Sequence, residues 1–192
     1  MFHERNRALQ DRFGTRALAD RIVESRDHDQ FTESEKLFIE SRSFFFLATA
    51  DAQGRPDCSF KGGVPGFVRV VAPDLLVFPD YDGNGMFKSL GNLEANPHVG
   101  LLFIAFEEKP QRLRVNGTAS LSFDDPLLEH FPGGQLLVRV KPDHIFPNCP
   151  RYIPDMHMVA PSVYAPDGES TPPEPEWKSF PVYKDYVPPR KR

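Results

Sequence analysis

The segment FPDYDGNGMFKSLGNLEANP, residues 78–97, carries the clearest candidate chemistry in this sequence. A strongly apolar run ends at Pro79, and the glycines that follow let the backbone approach a ligand closely. The helix expected beyond them would offer free N–H groups and the positive end of its dipole, which favour an anion. Lys88 and Ser89 would add donors there. The segment therefore predicts a phosphate-type site, and a plain strand–turn–helix connection is the alternative.

A second stretch, CSFKGGVPGF at residues 58–67, places a cation beside pliable backbone. Lys61 directly precedes Gly62 and Gly63, and glycine backbone allows close approach of a ligand. An ordinary hairpin explains the same residues equally well, so this stretch remains open between a binding loop and a turn.

Alternating residues in QRLRVNGTASL, residues 111–121, predict a strand with one polar face. Successive side chains of a strand point to opposite faces. The apolar set, which would enter the core, consists of Leu113 and Val115. The polar set consists of Arg112, Arg114 and Asn116. Two arginines on one face need an anionic partner unless they are exposed, and that partner is either a ligand or the nearby Glu107 and Glu108.

The residue sets of common catalytic sites are missing from the sequence. The six histidines are scattered without metal-ligand spacing, and neither a G-x-S-x-G motif nor a P-loop occurs. Asp124 and Asp125 precede Pro126 and indicate a turn. Cys149 in FPNCPRY is the better of the two thiols, but no histidine is placed to activate it. The sequence therefore predicts no metal site and identifies no catalytic residue.

Composition and charge narrow the class of protein. The chain has 192 residues, of which 40% are hydrophobic and 26% charged, and its formal net charge is −4. These values indicate one globular domain with terminal additions and disfavour a nucleic-acid binder, which usually has a basic face. The terminal Arg190-Lys191-Arg192 is interpreted as a solvated tail. With no apolar run near the ~18 residues of a membrane span and no secretory signal, we expect a cytoplasmic protein.

Hydrophobic spacing and turn residues give the expected elements. Residues 4–26 favour helix with a stop at Gly14, and Thr32 with Glu35 forms a capping box before a helix over 33–41. A further helix is expected at about 84–95, and strands at 43–51, 56–61, 66–71, 75–79, 98–106, 111–121 and 135–141. Six or seven short strands favour an all-β barrel or sandwich. After residue 160 the Pro- and acid-rich sequence predicts an extended tail, docked in part through Trp177 and Tyr183.

These motifs together resemble the FMN-binding split barrel of the pyridoxamine 5′-phosphate oxidase superfamily. The shared pattern is a strand leading into a Tyr-x(n)-Ser helix that ends in Asn-Pro, followed by an R-x-R-V-x-G strand. A bacterial subgroup is matched more closely, through motifs at residues 59–68, 78–86, 89–92, 112–117 and 146–153. Several motifs in the same order are far more specific than any one of them.

The resemblance implies a mainly β fold, a six-stranded antiparallel split β-barrel with flanking N-terminal helices, and a homodimer with FMN at the subunit interface. The chain would divide into an N-terminal helical segment (1–42), the FMN-binding split barrel (43–158) and a Pro-rich C-terminal tail (159–192). The implied cofactor-binding residues are Ser59, Lys61, Gly62, Asp80, Tyr81, Asn84, Met86, Lys88, Ser89, Arg112 and Arg114.

Within that set, the resemblance implies distinct roles. Lys88 and Ser89 match the helix positions that bind the flavin phosphate, with Ser59 and Lys61 near another phosphate contact. Arg112 falls where the family has a polar side chain at the flavin ring. The residues expected to border the isoalloxazine are Asp80, Tyr81 and Asn84. Those expected to reach the site from the second subunit are Arg151 and Tyr152.

The implied activity is that of an FMN-dependent oxidoreductase acting on an unknown small molecule. The vitamin B6 oxidases of the family end with a tryptophan followed by Arg-Leu-x-Pro, whereas here Trp177 is followed by KSFPVYKDYVPPRKR. The resemblance therefore does not extend to the pyridoxal-phosphate substrate. Three alternatives stay open: a non-catalytic FMN carrier or redox sensor, the same barrel with deazaflavin or haem, and an interaction module with a vestigial pocket.

Overall fold

A computed structural model describes residues 1–107 and 109–188 of the chain. The helices are α1 (Glu4–Arg12), α2 (Arg16–Arg26), α3 (Glu33–Glu40) and α4 (Lys88–Ala95), with short 3₁₀ turns at Pro126–His130 and Glu176–Ser179. The strands are β1 (Phe44–Ala50), β2 (Pro56–Gly62), β3 (Arg69–Ala72), β4 (Leu75–Tyr81), β5 (His98–Ala105), β6 (Gln111–Ser122) and β7 (Gly134–Pro147). Glu108 and the basic terminus Arg190-Lys191-Arg192 lie outside the described residues.

The helical predictions for the first 41 residues are confirmed. Gly14 adopts a φ of +65° between α1 and α2, a conformation that costs glycine little. At the start of α3 the Glu35 N–H donates to Thr32 Oγ1 at 3.3 Å, while Glu35 Oε2 accepts from the Thr32 N–H at 3.0 Å. This reciprocal capping box fixes where the helix begins.

The strands form one antiparallel sheet in the order β2-β1-β5-β6-β7-β4-β3. Phe45 on β1 and Phe78 on β4 are four strands apart in this order, which is about 19 Å in a flat sheet at ~4.8 Å per strand. Their ring centroids are nevertheless only 5.0 Å apart. The sheet therefore curls around one apolar core, and in the described chain its two edge strands, β2 and β3, do not pair to close it.

Two strand predictions need correction. The sheet has seven strands rather than the six that the resemblance implies, because the strand expected at 66–71 forms at Arg69–Ala72 and pairs with β4 at the edge. Strand β7 continues to Pro147 instead of ending at residue 141. Proline usually ends a ladder because it lacks an N–H. Here the register shifts between Asn116 and Gly117, which lets the pairing continue past Pro142.

Gly117 is required at that shift by a close approach of two backbones. A Cβ at this position would lie 2.1 Å from the Lys141 carbonyl oxygen, far inside van der Waals contact. The glycine of the R-L-R-V-N-G motif therefore permits the long β6–β7 ladder that positions the arginines of the same motif.

Candidate functional site

The motif at residues 78–97 folds as a strand, a loop and a helix. Strand β4 ends at Tyr81 and α4 begins at Lys88, with Phe87 at the N-cap in a left-handed conformation, φ +47°. Phe87 makes no side-chain hydrogen bond to the first turn of α4, so the N-cap side chain satisfies none of the free N–H groups there. Asn84 Oδ1 accepts from the Met86 N–H at 3.0 Å and shapes the exposed loop. A helix start of this kind suits an anion.

The second motif lies directly against this helix start. The hydroxyls of Ser59 on β2 and Ser89 in the first turn of α4 are 3.0 Å apart. Ser59 and Lys61 pair with the core residues Leu47 and Phe45 of β1, and cross-strand partners share a face of the sheet. Both polar side chains therefore point to the inner side of the curled sheet at its edge, toward α4.

An acidic group from β4 faces the same place. Asp80 follows Phe78 by two residues and so extends the inner face of its strand. Burial raises the pKa of the Asp80 carboxyl, the Lys61 ammonium opposes that rise, and Asp82 adds to it. Lys61 and Asp80 therefore both lie on the inner side of the curled sheet, one on β2 and one on β4. We refer to Ser59, Lys61, Asp80, Lys88 and Ser89 as the edge cluster.

The remaining predicted residues around this loop differ in exposure. Burial raises the pKa of Tyr81 to about 12, with the Arg69 guanidinium opposing the rise, and its ring packs against the main core. Asn84 and Met86 are exposed on the loop. Gly62 lies directly against the Phe60 ring, since a Cβ at this position would be only 2.7 Å from that ring. With a pKa of about 12, the Tyr81 side chain remains a neutral phenol at any physiological pH.

A buried polar pair that sequence reasoning missed holds α4 in place. Asn92 Nδ2 donates to Thr49 Oγ1 at 2.9 Å, and both residues are about 5% exposed or less. Asn92 lies three residues after Ser89 and thus on the same helix face. The S-x-G-N motif contained this signal, because two polar residues three apart both lie on the side of α4 that faces the sheet.

The strand prediction for β6 is confirmed, but its arginines lie away from the edge cluster. Leu113 and Val115 are buried in the core, while Arg114 and Asn116 are exposed on the opposite face. Arg112 lies on that face as well, half-buried. Within one chain the structure therefore brings together the edge cluster and not Arg112 or Arg114. Glu107, one of the two expected partners of the arginines, bonds Arg42 at 3.1 Å instead.

The outer face of the sheet is apolar around these arginines. One cross-strand row on it runs Phe60, Phe46, Leu102, Arg114 and Phe146. Phe60 is 62% exposed, and its ring stacks on that of Phe44 at 5.2 Å. The Phe44 ring in turn stacks on Phe106 at 6.1 Å. Phenylalanines of the sheet thus lie both in the core and in an uncovered aromatic patch on the outer face.

The C-terminal tail docks beside the 82–87 loop. Lys178 Nζ bonds Asp82 Oδ2 at 2.5 Å, and the lysine side chain is only 9% exposed. Trp177 lies edge-on to Tyr183 at 5.9 Å. A cavity of about 570 Å³ separates tail and loop, and its lining includes Asp82, Asn84, Tyr164, Trp177 and Phe180. The tail is thus docked through Lys178, which was not anticipated, while Trp177 packs on Tyr183 within the tail and lines the cavity.

Neither a metal-ligand cluster nor a helix that could span a membrane occurs in residues 1–107 and 109–188. No group of three or more histidine, cysteine, aspartate or glutamate side chains is placed to hold a metal ion in that part of the chain. Cys58 and Cys149 are both free and exposed. None of the described helices is long and apolar enough to cross a membrane.

Comparison with known proteins gives a family and several structural relatives. The chain has no match among curated proteins. A pyridoxamine 5′-phosphate oxidase candidate from Lactobacillus delbrueckii is 22% identical, with 63% of this chain and 98% of that chain covered and a TM-score of 0.49. The heme storage protein HutZ from Vibrio cholerae is 24% identical, with 59% and 91% covered and a TM-score of 0.42. An FMN-binding protein from Syntrophomonas wolfei is 14% identical, with 73% and 97% covered and a TM-score of 0.43.

The family model described as pyridoxamine 5′-phosphate oxidase matches residues 31–157, which is well over half of the 192 residues. The matched segment runs from the capping box of α3 through the whole sheet and includes every residue of the edge cluster. It ends before the tail that carries Trp177 and Lys178. The chain belongs to the pyridoxamine 5′-phosphate oxidase family.

Proposed function

We propose that this protein binds FMN with the phosphate at the edge cluster and acts as an oxidoreductase on a small molecule. The observation that carries the proposal is the 3.0 Å contact between Ser59 and Ser89. It joins two motifs that are 30 residues apart in sequence, at the start of a helix whose N-cap makes no side-chain hydrogen bond.

The chemistry of the donor set fits a phosphate group. Ser59 and Ser89 offer hydroxyls, Lys61 and Lys88 offer ammonium groups, and the first turn of α4 offers N–H groups with the positive end of the helix dipole. Hydrogen bonds between ionised partners are roughly twice as strong as neutral ones. A dianionic phosphate would also balance the two lysines, against which the cluster itself sets only Asp80.

A second copy of the chain is part of the proposal. Exposed aromatic residues that form a contiguous patch commonly mark an interface. The outer face carries such a patch around Phe44, Phe46 and Phe60. Because β2 bears Phe60 on this face and Ser59 and Lys61 on the other, a partner that covers β2 also borders the edge cluster. The arginines of β6 would then come to the flavin from the partner.

In such a site a bound flavin supplies the electron or hydride transfer, and the protein supplies binding, orientation and electrostatics. The residues of this chain have separable tasks. Ser59, Lys61 and the start of α4 hold the phosphate, while a guanidinium from β6 stabilises negative charge at the ring. The buried hydrogen bond from Asn92 to Thr49 holds α4 against β1.

The first experiment is an absorption spectrum of the purified protein and of the supernatant after denaturation. A released chromophore that co-migrates with FMN is expected. A Soret band would instead indicate haem, and a released deazaflavin would change the cofactor while keeping the site. A colourless protein that takes up no added FMN would overturn the proposal.

The phosphate assignment is tested by titrating FMN against Lys61→Ala and, as a matched control, Lys141→Ala. Lys141 is an exposed lysine of β7 that lies outside the edge cluster. Loss of one charge-assisted hydrogen bond of about 1.5–3 kcal/mol predicts a Kd raised roughly 10- to 150-fold for Lys61→Ala. Equal affinity in both variants would place the phosphate elsewhere. Turnover with an electron donor and acceptor pair then separates an enzyme from a flavin carrier.

A further inference from the structure

The cavity of about 570 Å³ between the tail and the 82–87 loop is lined by side chains of two chemical kinds. The aromatic side chains of the lining are Tyr164, Trp177 and Phe180, and the charged ones are Asp82 and Glu176. Among the described residues, no lysine or arginine lines this cavity. Its volume falls in the range of about 300–1,000 Å³ that is usual for small-molecule sites. The lining therefore combines aromatic rings with negative charge.

The tail side of the cavity is built by chain that is held in place at two points. Two residues after Tyr164, the Pro166 ring lies so close to Gly133 that a Cβ on this glycine would be 2.9 Å away. Further along the tail, Lys178 Nζ bonds Asp82 Oδ2 at 2.5 Å. Because both contacts join the tail to connections of the sheet, the aromatic residues between them are positioned rather than loose.

The aromatic rings of the lining are accessible to a ligand. Tyr164 is 49% exposed and Phe180 is 43% exposed. Trp177 is half-buried, and Tyr183 packs edge-on against its ring at a centroid distance of 5.9 Å. The faces of aromatic rings carry negative electrostatic potential and attract an ammonium group within about 6 Å of the centroid, most strongly for tryptophan. The rings thus offer a surface that favours a cation.

A lysine of the chain already places an ammonium group in this environment. Lys178 Nζ lies 5.9 Å from the centroid of the Trp177 ring while it bonds Asp82. This ion pair neutralises Asp82 and leaves Glu176, whose carboxylate forms no ion pair within residues 1–107 and 109–188. The lining therefore keeps one uncompensated negative charge, which matches a ligand with a single positive charge.

We propose that this cavity binds a small organic ammonium ion. The ammonium head contacts the ring of Trp177 and its aromatic neighbours, Glu176 supplies the opposite charge, and the volume leaves room for an organic substituent. Most of the lining belongs to the tail beyond residue 157, where the match to the family model ends. The site is thus a property of this chain's tail, and its ligand binding does not depend on FMN.

The test uses choline and its neutral isostere 3,3-dimethyl-1-butanol, which carries a carbon in place of the charged nitrogen. Both probes are titrated by calorimetry against the purified full-length protein at low salt. We expect choline to bind roughly tenfold more tightly than the isostere, since only choline gains the cation–π and carboxylate interactions. Binding of neither probe, or equal binding of both, would overturn the proposal.

Two variants locate the cation. Glu176→Gln should raise the Kd of choline roughly two- to fivefold and leave that of the isostere unchanged. Its matched control is Glu174→Gln, which changes an exposed carboxylate outside the lining and should bind choline as the wild type does. Trp177→Leu keeps apolar bulk but removes the ring, so the preference for choline should fall roughly 2- to 30-fold.

Wild-type affinity for choline in both Glu176→Gln and Trp177→Leu would place the cation elsewhere and overturn the assignment. Equal weakening in Glu176→Gln and Glu174→Gln would do the same, because it would show a general effect of net charge. A protein that takes up no FMN should still prefer choline, so failure of this proposal and failure of the proposed function are distinguishable.

Discussion

Asp125 and Arg139 form a buried ion pair whose contribution can be measured as a function of pH. Arg139 donates from Nε to Asp125 Oδ2 at 2.6 Å and from a terminal nitrogen to Oδ1 at 3.0 Å. Asp125 Oδ1 also accepts from the Leu127 N–H at 3.0 Å and so caps the Pro126–His130 turn. The Asp125 side chain is 0% exposed. This pair ties the connection after β6 to β7.

The hydrogen bonds from Arg139 lower the pKa of Asp125 from 3.8 to about 2. A folded-state pKa below the unfolded one means that the stabilisation is fully present above about pH 4 and is lost as the pH falls through about 2. The difference of about 1.8 between the two values corresponds to roughly 2.4 kcal/mol at about 1.36 kcal/mol per pKa unit. At pH 3 the same linkage leaves roughly 1.3 kcal/mol.

Urea denaturation of the wild type and of Asp125→Asn, at pH 7 and at pH 3, tests this reasoning. At pH 7 the free energy of unfolding of Asp125→Asn should be about 2 kcal/mol below that of the wild type. At pH 3 this difference should shrink by about 1 kcal/mol. Asp124→Asn changes the exposed neighbouring carboxylate and serves as the control, with little effect at either pH. A deficit that stays constant between pH 7 and pH 3 would refute the ionic origin of the stabilisation.

Three further perturbations follow from single contacts. Gly117→Ala should lower the free energy of unfolding by about 1–3 kcal/mol, because the added Cβ meets backbone. Gly91→Ala should raise it by roughly 0.5–1 kcal/mol, because Gly91 has open space around it in α4. Urea denaturation measures both variants, and the reverse order of stabilities would contradict this reasoning. Asn92→Ala leaves a buried hydroxyl on β1 unpaired and should cost about 1–3 kcal/mol in thermal or urea unfolding, and an unchanged stability would exclude a structural role for the pair. Lys178→Met removes the ion pair with Asp82 that docks the tail, so the fluorescence emission of Trp177, the single tryptophan, should shift to longer wavelength. An unshifted spectrum would show that the tail docks without this ion pair.

Local features of this protein could be predicted from the sequence because their causes lie within a few residues. The capping box at Thr32 depends only on side chains three positions apart and the backbone between them. The inward positions of Leu113 and Val115 follow from the two-residue period of a strand. The family resemblance was also carried by short motifs, and the match over residues 31–157 confirms it.

The tertiary structure decided which of these motifs meet. No spacing rule places Ser59 beside Ser89, because this approach depends on how far the sheet curls around Phe45 and its neighbours. Tertiary structure also decides which residues become neighbours on the outer face of the sheet. The continuation of β7 past Pro142 sets Asn148 opposite Arg112.

The physical reason for this division is the range of the forces involved. Side-chain period, capping and turn conformation are fixed by backbone sterics and by hydrogen bonds between near neighbours. Sheet curvature is instead set by packing of the whole apolar core, in which rings from β1, β4 and β5 are in contact. The sequence by itself therefore determined which residues could bind a phosphate or an anionic ring. Core packing determined that Ser59 and Ser89 meet at one edge of the sheet and that the arginines of β6 lie on its opposite face.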